Sequence, residues 1–265
     1  MNTASTPSSK TSAERWFYSL ASLALLILAF VGFRLFYLEG KAFPGRELTP
    51  PIRTLLIAHG ILMTAWMLLA IVQPLLVATG RKRVHKLLGK IAAALAIGIV
   101  AVGIRVAIGA ARVNPPDHRV FGLAPMEFIM VPFAAILAFG VFVFVGVWNR
   151  RRPEVHRPMM MLASLAVVTA ALGRMPLLNA WYANTWLEHV FSAFLITLAV
   201  GAVLLACRCL VSRSFDRWLA TGLAALMALS IVASLTARTA AWTRFATALC
   251  GGSAPPAANE VSSDQ

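Results

Sequence analysis

Apolar residues fill this chain in long runs parted by short polar turns, and each run is about the twenty residues a helix needs to cross a bilayer. Seven runs, near 16–38, 54–78, 84–110, 124–148, 156–178, 188–211 and 215–237, predict an all-α fold, a polytopic membrane helix bundle of about seven transmembrane helices. The polar arm 1–15 reads as a disordered cytoplasmic segment. The stretch 238–265, rich in Gly, Ala, Pro and Ser, reads as a flexible C-terminal tail. No small-residue cleavage site follows the first run, so it reads as a retained anchor rather than a signal peptide. In the second run, His59, Met63, Trp66 and Gln73 fall within roughly 80° of one another on a helix. That face is expected to turn toward protein, a cofactor or water, because a strongly polar group facing lipid is costly.

Composition sharpens the class. Of 265 residues, 59% are hydrophobic and only 13% charged, with a mean hydropathy of +0.77, which excludes an ordinary soluble domain. A net charge of +14 would suit nucleic acid, but the cations sit in turns between apolar runs, the pattern of membrane topology instead. The N-terminal arm and the turns after the second, fourth and sixth runs hold fourteen Lys and Arg; the alternate loops and the tail hold seven. That bias puts the N-terminus in the cytoplasm and the C-terminus outside. Cys207, Cys209 and Cys250 show neither a disulfide framework nor a zinc spacing.

Topology turns positions into heights. At 1.5 Å per residue, His59, Arg105, Glu127 and Arg174 lie about 10–13 Å outward of the bilayer centre on four different helices. Glu127 is therefore expected to pair with Arg105 or Arg174. Three readings stay open: a structural ion pair that fixes helix order, a polar pocket open to the outside, with Gln73 and His189 joining its lining, or snorkelling of each group without contact. On the inner side, His85 opens the third span and His156 the fifth. Facing neutral imidazoles are what axial ligation of a haem iron requires, and Arg81, Arg83, Arg152 and Arg157 can neutralise haem propionates. A headgroup contact or a helix cap is the competing reading of such histidines. His85 and Arg105 fall on nearly opposite faces of their helix, so the two cannot both point inward unless His85 precedes the regular helix. No Gly-rich phosphate loop, H-E-x-x-H or nucleophile elbow is present. Met159, Met160 and Met161 suit copper chemically, although such a run at a helix start also suits plain packing.

The pattern HG-x5-W-x6-Q in the second span, GRKRVHKLLGK into the third, RRPEVHRPMM into the fifth and GRMP at its end carries a resemblance. Over residues 53–178 the chain resembles a family of uncharacterised bacterial multi-pass inner-membrane proteins. That family is similar in layout to the transmembrane di-haem b-type cytochromes, in which the second and fourth helices ligate one haem and the third and fifth the other. The resemblance implies His85 and His156 as the third/fifth pair and His59 as the second-helix ligand; the fourth span offers Glu127 and no histidine. It further implies haem b as cofactor, the bacterial inner membrane as location, and electron transfer with a quinone or small reductant at an outward pocket of His59, Gln73, Arg105, Glu127, Arg174 and His189. The alternative is a non-redox membrane protein that binds or transports a small anion, or assists assembly of a respiratory complex, through the same outer residues.

Overall fold

The computed structural model describes residues 12–43, 46–47, 50 and 52–251; most of the expected N-terminal arm and the end of the tail lie outside the described residues. The order is α1 (Ser12–Gly32), α2 (Arg34–Glu39), a hairpin of β1 (Lys41–Phe43) and β2 (Arg46–Glu47), α3 (Ile52–Ala78), α4 (Lys82–Val113), α5 (Pro125–Phe128) and α6 (Met130–Trp148). There follow α7 (Pro153–Leu172), α8 (Pro176–Asn179), α9 (Trp186–Phe191), α10 (Leu195–Ser212), α11 (Arg217–Ala237) and α12 (Ala240–Leu249). The bundle is all-α as its apolar runs predict, the small hairpin aside. Among the described residues six helical stretches are long and apolar enough to cross a membrane, where the sequence suggests seven. The remaining stretch, Trp16–Gly32, is shorter, although α2 continues it after Phe33 with a hydrogen bond from Phe33 N to Ala29 O. The chain is thus a multi-pass integral membrane protein.

Local chemistry sets the ends. Gly80, at φ +77°, turns the chain between α3 and α4. Pro153 starts α7, and Met175, held extended before Pro176, stops the helical run that the hydropathy pattern carries on to 178. Asp216 caps α11 through Leu219 N at 3.0 Å, and Thr239 caps α12 through Trp242 N at 3.2 Å. The expected flexible tail therefore begins with an ordered helix. Trp242 Nε1 donates to Met126 O at 3.1 Å and Ala246 is fully buried, so α12 is docked on α5.

The bundle closes around α7. It is 72% buried along its most apolar window, against 11–39% for the other five. Neighbouring helices reach it at glycines. A Cβ at Gly32 of α1 would lie 2.3 Å from Ala171 O, one at Gly222 of α11 would lie 2.2 Å from Leu162 Cδ1, and one at Gly201 of α10 would lie 2.9 Å from Leu165 Cδ2. Small residues that let helices approach this closely are the usual adhesive where lipid removes the hydrophobic drive. The α3 stripe meets α7 halfway up: Trp66 Nε1 donates to Ser164 Oγ at 3.2 Å, and its ring packs edge-on against Phe139 of α6 at 4.8 Å. Ser164→Ala leaves that buried indole N–H without its acceptor. A loss of about 1–2 kcal/mol is expected, read as a lower thermal midpoint in detergent; an unchanged midpoint would show that the indole finds another acceptor.

Candidate functional site

Two turns bring two histidines together on one side of the bundle. The Gly80–Arg81 turn places His85 in the first turn of α4, its N–H bonded to Arg81 O at 3.1 Å. Pro153 does the same for α7, and His156 N bonds to Arg152 O at 2.9 Å. Both rings are half-buried, with centroids 6.4 Å apart and planes at 89°. His85 thus points inward from within the regular helix, while Arg105, on the opposite face of α4, is exposed.

The Nδ1 atom of each ring meets a backbone carbonyl of the preceding helix. His156 Nδ1 lies 2.8 Å from Gly146 O on α6, and His85 Nδ1 lies 3.3 Å from Gln73 O on α3. A proton on His156 Nδ1 donates to Gly146 O and leaves Nε2 as a free lone pair. The Gln73 side chain adds a second control. With its oxygen accepting from Gly89 N at 2.9 Å, its amide nitrogen donates to His85 Nδ1 at 2.5 Å and to His85 O at 3.2 Å, which puts the ring proton on Nε2.

Two imidazoles whose nitrogens each sit about 2 Å from one metal ion have centroids about 6 Å apart, close to the observed separation. Among the described residues no three of His, Cys, Asp and Glu come together as a metal site. An ion held here has two protein ligands and must draw the rest from elsewhere, as the four nitrogens of a porphyrin supply them. The residues present therefore fit a haem axial pair better than a closed zinc site. Cations flank them in the sequence: Arg81 and Arg83 are exposed, Arg157 is half-buried, and Arg152 pairs with Glu154 at 3.3 Å. The methionine run serves packing. Met159 faces Gly222 and Gly146, Met160 faces Gly146, and Met161 is buried in the core.

The outer layer does not assemble as expected. Glu127 pairs with neither Arg105 nor Arg174; its Oε2 accepts from Ala124 N at 2.8 Å and closes the first turn of α5. A local backbone donor satisfies the carboxylate more cheaply than a partner on another helix. Arg174 Nη1 donates to Ala170 O at 2.7 Å, and its guanidinium lies 4.7 Å from the centre of the Phe33 ring. Arg105 and His189 are exposed, and Gln73 belongs to the histidine pair at the opposite end of α3. Only His59 keeps a pocket-like setting: its Cε1 lies 3.5 Å from the Cβ position of Gly103, and its buried Nδ1 has no hydrogen-bond partner.

Sequence reasoning misses two polar clusters. Arg208 pairs with Asp216 at 3.4 Å and lies over the rings of Phe17 and Tyr18. A basic helix end eight residues before an N-cap aspartate is the signal for it. Tyr182 donates to Asn179 Oδ1 at 2.8 Å, while Asn179 Nδ2 donates to Leu172 O and Met175 O, tying off the end of α7. Burial and the nearby Glu188 carboxylate push the Tyr182 phenol up, so it stays a neutral donor. Compared with protein-family models, curated proteins and solved structures, the chain matches none.

Proposed function

We propose that the protein binds haem b between His85 and His156 and passes single electrons within the membrane. The observation that supports this most directly is the facing pair, 6.4 Å between centroids, with His156 Nδ1 held against Gly146 O so that its Nε2 can turn to the iron. Bound there, haem would supply reversible one-electron chemistry at a potential set by its two imidazoles and their surroundings. The chain's own residues do the rest. Gly146 O and Gln73 orient the rings, while Arg81 and Arg157 offer charge for the propionates. The buried apolar wall of Leu162, Phe139 and Trp66 keeps water from the bundle centre.

On this reading the protein belongs with the bacterial inner-membrane family whose motifs it resembles. Its N-terminus is cytoplasmic and its C-terminus periplasmic, following the fourteen-to-seven excess of cations. The redox partner is a quinone or small reductant. The anion-binding alternative draws less support, because Glu127, Arg105 and His189 do not converge. The test is the absorption spectrum of the protein purified in detergent from haem-supplemented cells. A Soret band that sharpens with α and β bands on reduction is expected; a colourless protein that takes up no added haemin overturns the reading.

A further inference from the structure

A groove of about 540 Å³ runs along α3 between Arg53 and Leu68. Its walls are Ile57, Ile61 and Leu68 of α3 with Phe36 of α2, and Ile61 and Leu68 are 64% and 50% exposed. That volume lies within the range of small-molecule sites, and the walls are apolar. Among the described lining residues the polar pair at depth is already satisfied: the Tyr37 hydroxyl and Thr64 Oγ1 lie 2.9 Å apart, and Thr64 Oγ1 donates to Gly60 O at 2.8 Å. Hence no described residue deep in the groove asks for a polar ligand.

The mouth differs. Arg53, in the first turn of α3, lines the groove and is exposed, and the ion pairs among the described residues do not include it. From Arg53 to Leu68 the helix rises about 22 Å, which takes the groove from the headgroup level past the ~15 Å hydrocarbon depth of one leaflet. An apolar channel of leaflet depth, open to lipid along its side and headed by one cation, matches an acyl chain bearing an anionic head.

We propose that this groove is a binding site for one anionic phospholipid of the outer leaflet, its phosphate on Arg53 and one acyl chain along Ile57, Ile61 and Leu68. The proposal is independent of haem. The test reconstitutes the full chain in vesicles of equal parts phosphatidylcholine and phosphatidylglycerol, extracts it in mild detergent, and measures retained lipid per protein by mass spectrometry. Wild type is expected to retain phosphatidylglycerol over phosphatidylcholine. Arg53→Gln should lower that preference about fivefold, the scale of one cation at an anionic surface, while Arg53→Lys keeps most of it. Arg105→Gln, which removes an exposed arginine from a different helix, should leave it unchanged. Equal losses in Arg53→Gln and Arg105→Gln would mean bulk attraction rather than a site. No preference in wild type, or a lipid-free dimer with the groove covered by a second copy, would also overturn the proposal.

Discussion

Gly32→Ala is expected to leave little folded protein, although the change adds one methyl group. A Cβ there would lie 2.3 Å from Ala171 O and 2.7 Å from Ala171 Cα, both backbone atoms of α7. No rotamer can relieve a clash with backbone, so α1 must back away from the central helix. Leu25, buried with 1% exposure, and its neighbours on α1 then lose contact with α7. Overpacking of this kind costs typically 1–3 kcal/mol, and about 3 or more is expected where the obstacle is main chain. The readouts are the monodisperse fraction on size exclusion and the thermal midpoint in detergent. Gly98→Ala is the control: its nearest contact would be Leu62 Cδ1 at 3.9 Å, an ordinary van der Waals distance. Equal damage from both substitutions would refute the close approach.

If haem is held as proposed, His85→Ala and His156→Ala are each expected to abolish its low-spin spectrum, because each would remove one of the two histidines that hold the iron. Gln73→Leu separates ligation from orientation. It removes the carboxamide that donates to His85 Nδ1 but leaves the Gln73 carbonyl to accept an Nδ1 proton, so Nε2 is freed and the band should persist with haem affinity raised. Haemin titration into the apoprotein measures this. An unchanged spectrum in either alanine variant would remove that histidine from the site, and a Gln73→Leu titration identical to wild type would leave the carboxamide no orienting role.

The spans are legible in the sequence because a bilayer imposes one length on every crossing, and runs such as 54–78 meet it without interruption. The breaks inside them are not. Ile129 splits α5 from α6 and Ser192, at φ +47°, sits between α9 and α10, yet neither residue type signals a break. The docked helix α12 is partly legible: Trp242, Ala246 and Leu249 recur at helical spacing within a composition that otherwise suggests a loose tail. The histidine pair is readable because two helices that begin on the same side bring their first turns to one height. The outer cluster fails for a related reason. Height says nothing of azimuth, and Arg105 faces outward at the level where Glu127 caps its own helix.

The most enclosed helix is also the least oily of the six: α7 has a mean hydropathy of 1.5, against 2.0–2.7 for the others. On its own it would partition into lipid more weakly than its neighbours. Synthesis delivers α1, α3, α4 and α6 first, so a partial cradle awaits it, and only α10 and α11 remain to seal the far side. Truncating the chain after α7 should therefore strand that segment half-inserted, a target for membrane proteases, even though every residue of the histidine pair has already been made.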